Sequence, residues 1–365
     1  MIFAINLIYS LFCSYSFSRF YKIGNKNNYI AYSIFLLPMW SIWLLICGTQ
    51  DGVGTDYYSY YEIFSDPNTK LFTYYYKQEY FFAWIVEFID YFKLPPQTGF
   101  FIFYIIGFLT ILKISTRLHH KTFFIFILLY LAYSTAFNNQ LNGLRQYIAL
   151  YWGTLGIMLL YDKKGGIIKF FSCVFVACMF HSSSLLFIPF LFFKYYKRNF
   201  SYNCCMIIII VSILFSLFGS YDWIWNIFDI FIPIKYLHYV GGEFDTAHGI
   251  SKMITKLIFV PLYIYSLQLI KKKKLKDYDL YLFQIGFMSY CIRLFFMDNI
   301  ILNRIGVSFI LISIFPIYYL LRYLYINKSY GKFHLICLFF IAFYLLKVIV
   351  FPSQEYLYNS IFKLQ

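Results

Sequence analysis

Several side chains in this sequence could hold or move charge, and they gather at polar breaks between long apolar runs. The first break reads Gln50-Asp51-Gly52-Val53-Gly54-Thr55-Asp56-Tyr57-Tyr58-Ser59-Tyr60-Tyr61-Glu62. Asp56 is a carboxylate that could accept or deprotonate a sugar hydroxyl, and the rings of Tyr57 and Tyr61 could stack on the apolar face of that sugar. A structural role competes, because Asp56 could instead cap a helix over 57–64. Arg145 and Gln146 follow Asn138-Asn139-Gln140-Leu141-Asn142-Gly143-Leu144 at the start of another apolar run. A guanidinium matches phosphate oxygens two at a time; otherwise Arg145 is an ion-paired arginine, with Asp51 or Asp56 as its partner. His181, followed by Ser182-Ser183-Ser184, could act as acid, base or hydrogen-bond donor to a pyrophosphate, or be a core histidine. Arg293, Asp298, Asn303 and Arg304 surround a late turn. An Arg–Asp pair there would stabilise the turn; Arg304 as a second guanidinium would suit a diphosphate, with Arg293 and Asn303 beside it.

These residues need elements to hold them, and composition dictates which. The chain has 365 residues, 61% hydrophobic and 13% charged, against a charged fraction of about 25% in soluble domains. Many apolar runs approach the roughly 20 residues that span a hydrocarbon core. Their backbones must satisfy themselves, as helices or barrel strands, and unbroken rather than alternating hydrophobicity selects helices. The fold expected is an all-α, polytopic transmembrane bundle of about 11–13 helices, forming a single membrane domain over 1–365. Segment 48–96 is read as an outer loop carrying an interfacial or re-entrant helix near 79–92. Segment 219–255 is read as a second outer loop and a substrate lid, with Trp223 and Trp225 on an amphipathic helix that would touch substrate or anchor at the interface.

The net charge of +15 would suggest nucleic acid in a soluble chain, but the cations lie in short breaks at 19–26, 113–121, 163–169, 194–198, 271–276 and 322–332. That is the pattern of inward-facing loops, so nucleic-acid binding is not expected. The breaks poor in lysine, which hold the candidate residues, then face outward. No disulfide framework or zinc spacing is read from the eight cysteines. There is no P-loop, GxGxxG or HExxH, and neither metal nor cofactor is expected.

Four elements resemble a known family. Gly52-Val53-Gly54-Thr55-Asp56-Tyr57 with Tyr61, Leu144-Arg145-Gln146-Tyr147-Ile148-Ala149, Phe180-His181-Ser182-Ser183-Ser184 and, more loosely, Asn303-Arg304-Ile305 are similar in order and spacing to motifs of EpsG-like proteins. These are Wzy-type polymerases of O-antigen, capsule and exopolysaccharide. Gln50-Asp51 departs from the pattern, since many members carry an arginine there. The resemblance implies a GT-C-like membrane glycosyltransferase in the bacterial inner membrane with its active site facing the periplasm. It would move a glycan from undecaprenyl diphosphate onto a lipid-linked repeat unit, with membrane lipid and a chain-length regulator protein as further partners. In that scheme Arg145 and Arg304 neutralise the leaving diphosphate, Asp56 or His181 takes the acceptor proton, and Tyr57, Tyr61, Gln146, Arg293, Asn303, Trp223 and Trp225 contact substrate. An O-antigen ligase uses the same donor. A flippase or other transporter of lipid-linked sugars is the reading outside enzymology, although it would favour the inverted repeats that this sequence lacks.

Overall fold

The computed structural model describes residues 1–20, 33–67, 71–195, 200–218, 250–275 and 277–362. Among them the regular structure is helical, with an isolated antiparallel bridge between Gln50 and Ser360. The chain is thus all-α and polytopic. It divides into two units, residues 1–191 with 321–365, and residues 192–320.

Three described helices are long and apolar enough to cross a bilayer: Gln97–Ser115, Met253–Lys271 and Tyr330–Val350. A bent pair of helices, Leu302–Ser308 meeting Ile312–Ile326 at 68°, forms a broken span or a re-entrant loop. Other apolar helices are shorter, among them Leu37–Gly48, Gly166–Phe180 and Tyr202–Phe218. Their breaks have local causes. Pro189 lies inside the 3-10 segment Ser182–Leu191, where it has no amide to give an α-helical ladder. The π turn Leu129–Tyr133 ends the apolar helix that starts at Phe123.

In the first unit, Leu144–Leu160 packs against Gly166–Phe180, Gln97–Ser115 and the 3-10 segment Ser182–Leu191. A Cβ on Gly156 would meet the Cys173 Cβ at 3.0 Å, and one on Gly153 would fall 2.2 Å from the Phe187 ring. Small residues at such places let backbones approach closely. Phe187 therefore folds the 3-10 segment back onto this helix, and the chain reverses at His181.

The two ends of this helix group differ in chemistry. At one end Asp162 accepts from both terminal nitrogens of Arg117, at 3.1 and 2.5 Å, and from Lys169 at 2.7 Å. Two of the basic breaks thus share one carboxylate and lie at the same end. The opposite end carries Gln50, Asn142, Arg145 and His181, about 25 Å away along a 17-residue helix. Residues 358–361 join that second end. Asp51 N donates to Asn359 O at 3.0 Å, Ile361 N to Thr49 O at 3.0 Å, and Tyr358 OH to Ile46 O at 3.0 Å.

The Asp162 cluster is half-exposed, and an exposed pair contributes about 0.2–1 kcal/mol. An Asp162→Asn chain is expected to melt a few degrees lower in detergent while making product at the wild-type rate. A rate loss larger than the stability loss would assign that end a catalytic role.

Candidate functional site

The segment 48–96 folds as three short helices, Tyr57–Ser65, Leu71–Tyr76 and Tyr80–Tyr91. The last starts as the sequence indicated for an interfacial helix. Its apolar positions Phe82, Ala83, Val86 and Ile89 turn inward, while Glu87 is exposed. The residue before it, Glu79, was not among the sequence candidates. Gln78 adopts φ 59°, a left-handed kink that redirects the chain. Glu79 occupies the N-cap position of the new helix without capping it; its carboxylate turns inward.

There Glu79 joins two elements distant in sequence. Its Oε1 pairs with His181 Nδ1 at 2.9 Å and accepts the Ser182 amide at 3.4 Å. Its Oε2 accepts from Arg145 Nη1. The carboxylate is sealed at 1% side-chain exposure, whereas Arg145 and His181 keep 16% and 23% open. Burial pushes the Glu79 carboxyl up, but the hydrogen bond from His181, the Arg145 guanidinium and the Ser182 amide outweigh it and hold the group below the usual carboxylate range. Glu79 is therefore an anion at neutral pH.

Aromatic rings complete the seat of Arg145. Its Cζ lies 4.6 Å from the centre of the Tyr74 ring, 5.0 Å from Phe82 and 5.8 Å from Tyr60. Guanidinium over aromatic faces is favourable, most so where water is excluded. One ring comes from each of the three short helices, so the layer closes around the arginine. Among the described residues the Arg145 Nε has no hydrogen-bond partner. Burial pushes the Tyr74 phenol up to about 12, so the phenol stays neutral. The expected ion pair of Arg145 with Asp51 or Asp56 is corrected: Glu79 fills that role, because the 80–91 helix folds back over the start of Leu144–Leu160.

The glycine loop sits beside this seat. Gly52 and Gly54 have φ 63° and 80°, a region that residues with a Cβ rarely adopt. Asn142 Oδ1 accepts from the Asp56 amide at 2.8 Å and from the Thr55 hydroxyl at 3.1 Å, pinning the loop to the residues just before Arg145. Asp56 stands at the N-cap of Tyr57–Ser65 but makes no side-chain cap bond, so the capping role does not hold. Its exposed carboxylate receives the Thr55 hydroxyl at 3.3 Å. The Tyr74 phenol lies within reach of the charges of Arg145, Glu79 and Asp56.

Of the paired rings expected to meet a sugar, Tyr57 is corrected. It is 2% exposed and stacked on Phe100 at 5.0 Å, so it supports the loop from beneath. Tyr61 remains exposed, 5.9 Å from Tyr57. Gln146 is half-buried beside Arg145. Gln50, at the departure from the family pattern, is fully buried and donates to Tyr104 OH at 2.7 Å.

The late candidates belong to the second unit and are described within it. Arg293, in the helix Asp277–Phe295, donates to Ser313 Oγ at 2.8 Å. Asn303 accepts from Lys256 Nζ at 2.6 Å, which adds a cation that the sequence reading passed over. Arg304 lies on the short arm of the bent helix pair. Trp223 and Trp225, with residues 219–249 of the expected lid, lie outside the described residues.

The chain matches the model of the EpsG family over residues 32–362. Searches of curated proteins and of solved structures found no match.

Proposed function

Since the chain belongs to the EpsG family of Wzy-like polysaccharide polymerases, we propose that it joins lipid-linked oligosaccharides into surface polysaccharide, taking the donor glycan from undecaprenyl diphosphate at the periplasmic face of the inner membrane. The observation that carries this reading is the meeting of Arg145 and His181 on one buried carboxylate, at the end of the helices away from the basic cluster of Arg117 and Lys169. The positive-inside bias turns that cluster to the cytoplasm, which leaves the Arg145 end outside.

The chemistry follows from the side chains. Cleaving a glycosyl diphosphate builds negative charge on the leaving oxygen, and a fixed guanidinium stabilises that charge without reorganising. Arg145 is fixed by three rings and an anion, and its open side is where phosphate oxygens would lie. The acceptor hydroxyl needs a base, and His181 and the uncapped Asp56 both keep accessible atoms at this site. The Arg304 guanidinium is proposed, from the sequence motif alone, as a second contact for the diphosphate. Tyr61, Gln146 and the Trp223–Trp225 segment are candidates for the sugars.

The test is reconstitution. The full chain in nanodiscs is given the lipid-linked repeat unit extracted from a strain lacking this gene. Lipid-linked dimers and longer products are expected, and a His181→Ala chain is expected to form them about 10²–10⁴-fold more slowly. Transfer to a lipid A core acceptor in place of chain extension would identify a ligase. Movement of the repeat unit across the bilayer without new glycosidic bonds would identify a transporter.

A further inference from the structure

Glu79 touches neither the open face of the site nor any position a sugar could reach, yet its carboxylate organises both residues that do. Its Oε2 is spent on Arg145. Its Oε1 faces His181 Nδ1 at 2.9 Å, and an anionic carboxylate can only accept, so the proton between them belongs to Nδ1. In neutral imidazole the other nitrogen, Nε2, then carries the lone pair. Among the described residues Nε2 has no recorded hydrogen-bond partner, and the ring keeps 23% of its surface open. The Ser182 amide on Oε1 and the Ala83 amide on the Glu79 carbonyl hold the acid from two directions. Asp56, the rival base, has no such support and stands in solvent.

We propose that Glu79 is the positioning residue of the transfer reaction: it fixes His181 in the tautomer whose Nε2 takes the proton from the acceptor hydroxyl, and it holds Arg145 in register beside it. This rests on the polymerase reading above. In the step, Nε2 accepts the acceptor O–H proton while the acceptor oxygen bonds to the anomeric carbon of the donor. The bond from that carbon to the diphosphate oxygen breaks, and its electron pair leaves with the lipid diphosphate. The imidazolium formed lies against the Glu79 anion, which stabilises it, and returns its proton to water afterwards. A carboxylate behind an imidazole sets tautomer, orientation and basicity at once.

The charged groups around His181 are Glu79, Arg145 and Lys77. Of these Glu79 alone favours the protonated ring, so its neutralisation must lower the proton affinity of His181. Two measurements on the full chain in nanodiscs test the proposal. In the first, protein labelled with [15N]histidine is examined by NMR, with His181→Gln assigning one signal among the six histidines; His181 is expected to be protonated on Nδ1 and bare on Nε2. In the second, turnover of the extracted lipid-linked repeat unit is followed against pH. Glu79→Gln keeps the shape and removes the charge. Its kcat is expected to fall by about 10²–10³-fold with KM within about twofold, and the acid limb of kcat/KM to move to lower pH. Glu79→Asp is expected to recover part of the rate.

A protonated Nε2 in the wild-type chain would overturn the proposal. So would a Glu79→Gln chain that is folded and turns over at the wild-type rate with an unmoved acid limb. Should Glu79→Gln not fold, the wild-type tautomer and the Glu79→Asp profile still decide. A wild-type chain that shows the expected tautomer but forms no polymer would sink the polymerase reading and leave the histidine geometry standing.

Discussion

An Arg145→Lys chain is expected to lose about 10²–10³-fold in turnover although it keeps the positive charge. The reason lies in shape. The guanidinium is planar, and it lies 4.6 Å from the Tyr74 ring centre and 5.0 Å from that of Phe82 while its Nη1 reaches Glu79. A flat cation can stack on rings, donate to a carboxylate from one edge and present further N–H groups to a phosphate from another. An ammonium is a point charge on a flexible stem and cannot do all three in one position. Lysine is the informative substitution because alanine confounds two effects. Arg145→Ala would strand the sealed carboxylate of Glu79, and breaking a buried pair from one side costs about 3–5 kcal/mol. Lysine still neutralises Glu79, so its melting point should fall much less than that of alanine while the rate falls nearly as far. Single-turnover measurement of lipid-linked dimer, with thermal unfolding of the same samples, separates the two. Wild-type turnover by Arg145→Lys would mean that only charge is needed, and the phosphate-clamp assignment would fail.

How much of this could be read beforehand differs from residue to residue. The end-to-end division of charge was legible because it is a one-dimensional pattern: short cationic breaks alternate with acidic and amide-rich ones, and Arg117, Asp162 and Lys169 do meet at one end. Arg145 and His181 were legible because cations and imidazoles are rare in apolar runs and stand out where they occur. That Arg145 needed a counter-ion was also legible, since an outward arginine runs against the charge bias. Its identity was not. Asp51 and Asp56 lie in the glycine motif and drew the assignment. Glu79 follows Lys77-Gln78 in what reads as a solvated turn. Its inward orientation comes from a left-handed residue at Gln78 and from packing of the 80–91 helix, and neither leaves a periodic trace. The unmet need for a negative partner was the signal that could have found it, had each acid flanking an apolar run been weighed equally. Tyr57 failed for the converse reason. Its spacing from Tyr61 suggests a shared face, but contact with Phe100 decides which ring stays open, and that contact is tertiary.

The second large effect falls on Gly54, which carries no chemical group at all. Its φ of 80° lies where an L side chain is strained, by about 1–2 kcal/mol. A Cβ there would also stand 2.7 Å from Asn142 Oδ1 and 2.9 Å from its Cβ. Asn142 cannot yield freely, because the same oxygen holds the Asp56 amide and the Thr55 hydroxyl. A Gly54→Val chain must therefore break the pin, and overpacking of this kind costs a further 1–3 kcal/mol or so. The displaced loop leads directly into the helix Tyr57–Ser65, whose Tyr60 is one wall around Arg145. A misplacement of about 1 Å at a reacting centre can cost roughly 10²-fold, so Gly54→Val is expected to lower turnover by about that factor or more in a chain that still reaches the membrane. Asn142→Ala supplies the control. It removes the obstructing oxygen and the pin together, so it should lower turnover alone, yet Gly54→Val added to it should cost less than Gly54→Val does in the wild-type chain. Residual strain from the positive φ, together with the Cβ that alanine keeps at 2.9 Å, sets the part that Asn142→Ala cannot relieve. Strict additivity of the two substitutions in a double-mutant cycle would show that the loop and the 138–143 turn do not act through this contact, and the glycine would then owe its effect to backbone strain alone.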